Sequence, residues 1–473
     1  MTPSKNSSTH STAPPIPAQV TGALATGTLL QPLNSSMIAV AIVAIGAQFG
    51  TSGVSWVISA MYIATAVNAT TTGRLGALVG AKRVYLGGLA LVAAGSIIGM
   101  LAPNIGWLIA AYAVLGTGIS AQMPNAMTMV RTYAERYRRQ TRSALTVLTA
   151  TGQSVAALGP TVGGLLVGSL GWQSILWVNL PVVAISAASV LLADLGPSGV
   201  KPREKEHPVH TMFDLVGIAL FLVTLTSTMG FLVSLRDEPI WPLLPAATAG
   251  TAVFVWWEMR APEPFLDIRA IHRNHPLRAT LTRSLVTQTA FYCIFFGIPQ
   301  WLQYSRGMSA THAGLVMLPV AGVSVVATIV GAYTYRRYGA RTTLLFGTAA
   351  LAIGGLLIVF IERTTTPVVV LLLVAAVLGL PNGFNNIGNQ NLINASTTVT
   401  EVGTAIGMYR TAQFIGANLA VVVLKICTGD EINDDGLHRT GWFIAATGCV
   451  LLIGIVFARD TMTPKRTHTV ATL

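Results

Sequence analysis

The stretch ALGPTVGGLLVGSLGW, residues 157–172, places five glycines and one proline in an apolar run. Four of the glycines form two pairs whose members are separated by three residues, Gly159 with Gly163 and Gly164 with Gly168. Such small-residue pairs let the backbones of membrane helices approach closely, and Pro160 bends a helix by removing a backbone donor. The stretch therefore predicts a membrane helix in close contact with its neighbours, although glycines there also serve general packing.

The composition of the whole chain agrees with a membrane environment. Of 473 residues, 52% are hydrophobic and only 10% are charged, whereas soluble domains are about 25% charged. Apolar runs near or above the length of a membrane span recur throughout. We therefore expect an all-α integral membrane protein. Its fourteen predicted spans are 22–45, 53–72, 84–102, 106–129, 143–168, 172–193, 213–234, 239–258, 280–303, 311–334, 341–361, 367–392, 402–427 and 440–458.

The distribution of basic residues predicts the orientation. The net charge is +12, but the lysines and arginines lie singly or in short groups between apolar runs, which does not suggest nucleic-acid binding. With both termini cytoplasmic, most of them fall on the cytoplasmic side, as membrane proteins prefer. We expect a multi-pass protein of a bacterial cell (inner or plasma) membrane, with both termini cytoplasmic.

A weak internal repeat predicts the domain organisation. GRLGALVGAKR at 73–83 and GAYTYRRYGAR at 331–341 are both short, basic and glycine-rich. Taken as equivalent turns, they divide the chain into six spans, two extra spans and six spans, as in transporters built from repeats. The predicted regions begin with a disordered cytoplasmic tail (1–21) and a six-helix bundle (22–193). A central region (194–279) follows, which comprises a cytoplasmic loop, two extra spans (213–258) and a linker. A second six-helix bundle (280–458) and a cytoplasmic tail (459–473) complete the chain.

Four segments carry a family resemblance. GPTVGGLLVGSLGWQSILWVNLP (159–181) resembles the antiporter signature of the major facilitator superfamily, and VSWVISAMYIATAVNATTTGRLGALVGAKRVYL (54–86) resembles its second span and following loop. LNSSMIAVAI (33–42) and GMYRTAQFIGANLA (407–420) resemble spans of its fourteen-span drug:proton antiporter group. The resemblance implies a major facilitator fold and transport by alternating access. It also implies conformational roles for Gly73, Gly80, Lys82, Arg83, Gly159, Pro160, Gly163 and Gly164.

Several positions depart from the family pattern and leave proton coupling open. Ala77 stands where an aspartate is usual in the loop, Tyr112 where an arginine is usual, and Asn34 where many members have an acid. None of the acidic residues falls in the middle of a predicted span, although proton relays commonly use an embedded acid or histidine.

The stretch LPNGFNNIGNQNLIN, residues 380–394, supplies the candidate substrate site. Its asparagines at 382, 385, 386 and 389 share one face of a helix. Amides facing lipid would be costly, so this face should line a cavity or hold helices together. Arg410 is the only charged side chain well inside a predicted span. We expect it to act either as a substrate anchor or as a structural clasp. The candidate cavity residues are Asn34, Gln153, Asn382, Asn385, Asn386, Asn389 and Arg410, although a single embedded amide is more often structural.

These features favour a secondary transporter that exports small amphipathic compounds by alternating access, with proton coupling open. The alternative is a uniporter or importer of a neutral or anionic metabolite. No embedded set of acids, histidines or metal ligands suggests an enzyme, and no phosphate-binding loop suggests ATP-driven transport. We expect no cofactor, metal or nucleic acid. The expected partners are a small-molecule substrate and membrane lipids, and protons are the candidate coupling ion. The protein should be a monomer.

Overall fold

The computed structural model describes residues 14–50, 53–193, 214–235, 239–262, 264–397, 402–429 and 431–457. In these ranges the regular structure is helical, with one isolated bridge between Pro15 and Gln140. The first helices are α1 (Ala18–Thr28), α2 (Leu30–Phe49), α3 (Val54–Val79), α4 (Ala81–Met100), α5 (Ile105–Ser120), α6 (Gln122–Tyr137), α7 (Arg142–Leu170), α8 (Ser174–Trp177) and α9 (Asn179–Leu192). The others are α10 (Leu215–Ser234), α11 (Leu243–Glu258), α12 (Ile268–Arg273), α13 (His275–Tyr304), α14 (Ala310–Val316), α15 (Leu318–Ile361), α16 (Val368–Ser396), α17 (Val402–Thr428) and α18 (Asp434–Phe457).

A helix lies at each of the fourteen predicted span positions. Within the described ranges, nine helical stretches are long and apolar enough to cross a membrane. One of them, Ala310–Ile361, covers two predicted spans, and the shorter apolar stretches Val54–Ala69 and Leu158–Leu170 correspond to two more. The predicted spans 239–258 and 280–303 are helical but are not among these stretches. The number of crossings and the domain boundaries therefore stay predictions.

The chain becomes helical earlier than the sequence predicted. α1 begins at Ala18, inside the predicted disordered tail, and Ile16 and Val20 are buried. These apolar side chains pack into the core, which explains why the last residues of the predicted tail are ordered. Residues 1–13, 194–213 and 458–473 lie outside the described ranges, so the remainder of that tail, most of the predicted loop and the C-terminal tail are not described.

Both repeated turns contain a glycine with a positive φ. Gly80 has a φ of 102° between α3 and α4, and Gly339 has a φ of 81° in the middle of α15. Only glycine adopts such angles without strain. Each glycine reverses the chain between two helices, so α15 contains two of the predicted spans. The repeat that the sequence suggested therefore corresponds to two equivalent turns.

Helices α1–α9, called here the first half, pack mainly on one another, as do α13–α18, the second half. The halves meet where α7 packs on α14 and α15, and where α3 packs on α17. Helices α10 and α11 pack together, with Phe221 against Phe254, and α10 also contacts α3 and α17. The interface between the halves therefore involves a few specific helices.

The extra helices also hold the linker that leads to the second half. The carboxylate of Asp214 accepts from the backbone N–H of Phe265, and that of Glu258 accepts from Leu266. Arg74, near the end of α3, donates to the carbonyl of Pro264 at 3.0 Å. Three consecutive linker residues, 264–266, thus contact both the first half and the extra helices.

Candidate functional site

A small cavity lies between α13, α16 and α17 of the second half. The open space among its walls, part of it continuous with solvent, is about 250 Å³, and a water-sized sphere can occupy about 10 Å³ of it. The lining residues are Ser284, Thr287, Gln288 and Phe291 of α13, Pro381, Asn382, Asn385, Asn386 and Asn389 of α16, and Tyr409 of α17. All four asparagines of the predicted face therefore line one cavity. A cavity needs about 10–15 Å³ of such space to hold one water molecule. The described conformation therefore has room for about one water, and a drug-sized substrate needs a wider conformation.

Two of the asparagines are positioned by α15. Gly383 of α16 lies so close to the α15 backbone that an added Cβ would lie 2.5 Å from the carbonyl oxygen of Ser324. This close approach lets the Asn382 amide donate to the Ser324 hydroxyl at 2.9 Å. One turn further, the Asn385 amide oxygen accepts from Thr348 at 3.1 Å. The glycines of α16 thus bring its polar face into contact with both helical segments of α15, Ser324 before Gly339 and Thr348 after it.

The other two asparagines face α13 and α17. The amide oxygen of Asn386 accepts from the Tyr409 hydroxyl at 2.7 Å and from the Gln413 amide at 3.2 Å. The amide oxygen of Asn389 accepts from the Nε of Arg283 at 2.6 Å. The asparagine face, defined as Asn382, Asn385, Asn386 and Asn389, therefore contacts three neighbouring helices.

The sequence did not identify Arg283 as a functional residue. Helix α13 begins at His275, where the Asn274 side chain caps it by accepting from the N–H of Leu277. Arg283 is therefore more than two turns into the helix and only 7% exposed. Arg283 is thus a buried arginine within a helix of the second half, in addition to Arg410, and that helix begins before the predicted boundary at 280. The Asn-His-Pro cap at 274–276 is the signal that could have placed this boundary. The position of either arginine within a span stays a prediction.

Arg410 lies near the cavity but is not among its lining residues. It is partly buried on α17 and close enough to Tyr292 and Tyr409 for an electrostatic interaction with both hydroxyl groups. Among the described residues, Arg283 and not Arg410 donates to the asparagine face. The role of Arg410 as a substrate anchor stays a prediction.

The remaining predicted cavity residues lie in the first half. Asn34 is 3% exposed and forms two reciprocal amide hydrogen bonds of 2.9 Å with Asn179. Asn179 also donates to Ser96 at 3.0 Å. This closed network favours a structural role for Asn34. Gln153 lies on α7, but its side chain is outside the described part of the chain.

The two glycine pairs of α7 pack against two different helices. A Cβ at Gly159 would overlap Ser36, and one at Gly163 would lie 2.9 Å from the Cα of Met37, both on α2. A Cβ at Gly164 would instead overlap the carbonyl of Ala310, and one at Gly168 would overlap Thr311, both on α14. The close approach that the spacing predicts is present, and it occurs on both sides of α7.

The turn motif packs on the end of the fourth predicted span. A Cβ at Gly73 would lie 3.5 Å from Pro124 of α6, and Asn125 donates to the carbonyl of Thr72 at 3.2 Å. Lys82 is half-buried and Arg83 is exposed at the start of α4. These contacts fix the position of the turn. The conformational roles of Gly73, Gly80, Lys82 and Arg83 stay predictions.

The two halves are joined towards one end of the molecule, called here the outer end because the predicted orientation places it outside the cell. Helix α7 donates through Thr161 to the carbonyl of Gly314 at 2.9 Å, and Thr311 donates back to Gly164 at 3.0 Å. Among the described residues, the other side-chain hydrogen bonds between the halves are Gln303 to Val40 (3.2 Å) and Thr411 to Ala66 (3.3 Å).

Aromatic side chains add a second contact between the halves. Tyr62 of α3 packs against Tyr292, Phe296 and Phe414 of the second half, with ring centroids 5.5, 6.3 and 6.0 Å apart. Phe296 lies more than one turn beyond Phe291, the lining residue of α13 nearest the outer end. The aromatic layer and the hydrogen bonds therefore separate the cavity from the outer end.

Comparison with known proteins identifies the class. Residues 24–421 match the Major Facilitator Superfamily, and the chain belongs to this superfamily of membrane transporters. A nucleoside transporter, NupG, has the same fold, with a TM-score of 0.63 at 14% identity over 93% of this chain and 97% of that chain. The all-helical major facilitator fold expected from the sequence is confirmed.

Two relatives match most of the chain. The uncharacterized MFS-type transporter YwoD of Bacillus subtilis (strain 168) is 32% identical over 439 residues, which cover 92% of this chain and 96% of that protein. The tetracenomycin C resistance and export protein of Streptomyces glaucescens is 26% identical over 427 residues, which cover 87% of this chain and 76% of that protein. Both relatives are bacterial.

Proposed function

We propose that the protein is a secondary exporter of small amphipathic compounds and belongs to the fourteen-span drug:proton antiporter group. It works in the bacterial cell membrane as a monomer with both termini cytoplasmic. The observation that carries the proposal is the asparagine face lining a cavity that the aromatic layer separates from the outer end. The export function named for the Streptomyces glaucescens relative supports the direction of transport.

In the proposed orientation the outer end is the extracellular side, and the two halves are in contact there. Hydrogen bonds through Thr161 and Thr311 hold the outer end closed, while the asparagine face lies in the cytoplasmic half of α16. A compound entering from the cytoplasm or the inner leaflet would reach the cavity first. Separation of α7 from α14 would then open the outer end, as alternating access requires.

Proton coupling needs a titratable group, and the buried acids lie at helix ends. Glu258 is the last residue of α11, and Glu362 follows the last residue of α15. Burial raises the pKa of Glu362 to about 8, although the nearby Arg306 guanidinium acts in the opposite direction. The position of these acids away from the cavity is the observation that favours the alternative, a uniporter or importer of a neutral or anionic metabolite.

Transport by the purified protein in proteoliposomes separates these functions. We expect an imposed pH gradient to drive accumulation of tetracenomycin C, the compound named for the export relative, in liposomes that contain the protein. Nigericin, which dissipates the gradient, should abolish accumulation, and protein-free liposomes are the control. Equilibration at the same rate with and without the gradient would instead support the uniporter, and accumulation in the opposite direction would support the importer.

A further inference from the structure

The amide groups of Asn386 and Asn389 are oriented by their hydrogen-bond partners, whereas the NH2 group of Asn382 donates to Ser324. The orientation of Asn389 is fixed by Arg283, because a guanidinium Nε only donates and must contact the amide oxygen. The NH2 group of Asn389 then points away from Arg283. At Asn386 the oxygen accepts from both Tyr409 and Gln413, which leaves its NH2 group available in the same way.

Asn385 provides a donor that is both buried and unpaired. Its oxygen accepts from Thr348, and the residue is 3% exposed. Among the described residues its Nδ2 has no hydrogen-bond partner. A buried donor without a partner destabilises the folded protein. A ligand that supplies an acceptor in the cavity would remove this cost.

Arg283, which like Arg410 is not itself a lining residue, places a positive charge behind these donors. Its described hydrogen bonds go to the Asn389 amide and the Thr280 hydroxyl, both of which are neutral. No carboxylate among the described residues pairs with it. A buried charge is normally compensated by an opposite charge. The cavity is therefore electrostatically suited to an anion.

We propose that this cavity recognises an anionic oxygen group of the substrate, a carboxylate or an ionised enol. The NH2 groups of Asn385, Asn386 and Asn389 donate to it, and Arg283 supplies the compensating charge. Phe291 and Pro381 provide apolar walls beside the donors, where the hydrophobic part of the molecule lies. The substrate class is thus amphipathic anions, an inference that rests on the proposed transport function.

Matched probes test the charge preference directly. The purified protein in detergent is titrated with 2-naphthoate, 2-naphthamide and 2-naphthylmethylammonium, and with the corresponding benzene and biphenyl compounds. Tryptophan fluorescence and thermal shift report binding. We expect carboxylates to bind at least about tenfold more tightly than the ammonium compounds of the same ring system. A carboxylate series that does not bind, or binds no tighter than the ammonium series, overturns the proposal.

Two variants distinguish recognition from structural support. Arg283→Gln should weaken carboxylate binding at least about tenfold and leave carboxamide binding within about twofold. Asn389→Asp supplies an internal counter-ion for Arg283, so the melting temperature should be kept or raised while carboxylate binding is lost. If folded Asn389→Asp binds carboxylates as well as the parent protein does, the anion does not occupy this cavity and the proposal fails.

The matched control is Asn391→Asp on the same helix. The Asn391 amide donates to the carbonyl of Ile387 and does not line the cavity. The Asn391→Asp substitution adds the same charge to α16 as Asn389→Asp does, and we expect the ligand preference to be unchanged. An equal loss of carboxylate binding in Asn391→Asp would mean that the effect is long-range electrostatics, which would also overturn the assignment.

The tests of anion binding and of export can succeed or fail independently of each other. Anion binding with the expected variant effects, but no gradient-driven accumulation in proteoliposomes, supports the site and rejects export. Gradient-driven export of cationic compounds alone supports export and rejects the site.

Discussion

Arg283 and Arg410 both lie within helices of the second half, but their surroundings differ. Arg283 contacts the amide oxygen of Asn389, whereas Arg410 is near enough to Tyr292 and Tyr409 for an electrostatic interaction. An arginine at the centre of a membrane costs about 2.5–3.5 kcal/mol on insertion scales, so each needs polar surroundings within the protein. The two tyrosines contribute such surroundings for Arg410, and one of them, Tyr409, also lines the cavity.

At the residue scale we therefore expect different effects from the same substitution. Arg410→Gln should lower the melting temperature, because it removes the charge that the two tyrosines stabilise, and change carboxylate affinity by less than about threefold. Arg283→Gln should have the larger effect on affinity. Titrations and melting curves of both variants in detergent measure this. If Arg410→Gln loses carboxylate binding without a change in melting temperature, Arg410 is a substrate anchor.

The asparagine face could be predicted from the sequence because the spacing of its four amides already defines one side of a helix. Its partners could not be predicted in this way. The contact from Arg283 to Asn389 joins residues on α13 and α16, and it depends on where α13 begins and how it is rotated. Likewise, Asn34 carries the same side chain as the cavity residues, and only its contact with Asn179 shows a closed pair.

At the scale of the element, α7 is the helix whose two faces have different neighbours. Gly163 contacts α2 within the first half, and Gly164 contacts α14 in the second half. During alternating access the first contact is kept, because both helices move together, and the second contact has to separate. Bulk at the two positions should therefore have different consequences.

We expect Gly163→Leu to lower the melting temperature and abolish transport, since Leu cannot fit against the backbone of Met37. Gly164→Leu should insert and fold normally but lose transport, because it prevents closure at the outer end. Spin labels at Leu170 and Arg363, exposed at the outer ends of the two halves, report the opening by pulsed electron resonance. The label distance should increase in Gly164→Leu only.

The matched control is Val162→Leu, which adds bulk on the same helix at a side chain that is 37% exposed. Transport and melting should be unchanged. An unchanged label distance and normal transport in Gly164→Leu would show that the contact with α14 has no part in the cycle. The sequence could predict close packing of α7 from the glycine spacing. It could not assign a neighbour to each pair, since α14 is about 150 residues away along the chain.

At the scale of the whole molecule, orientation is open to a direct test. We expect cysteines placed at Lys5 and Lys465, in a variant whose three native cysteines are replaced by serine, to react with a membrane-impermeant maleimide only after permeabilisation. A cysteine at Glu431 should react in intact cells. Basic residues concentrate on the cytoplasmic side of membrane proteins, which is the physical reason for this expectation. Reaction of either tail in intact cells would contradict it.

The overall architecture was accessible from the sequence, because long apolar runs and the paired turns at Gly80 and Gly339 follow from local chemistry. The cavity was less accessible. It lies between three helices of the second half, whereas the sequence-based candidates included Asn34 and Gln153 of the first half. Which helices meet around a cavity is determined by packing over the whole bundle, and hydropathy carries no information about it.

The contact between Gly164 and α14 has a thermodynamic consequence. A side chain at 164 penalises only the conformation in which α14 is docked, so substitutions of increasing size should shift the equilibrium between conformations in graded steps. Each 1.4 kcal/mol of penalty changes the ratio of the two populations about tenfold. A ligand specific for the docked state then loses apparent affinity by the fraction that remains docked. Position 164 thus provides a means of stabilising the rarer conformation for study without altering the cavity itself.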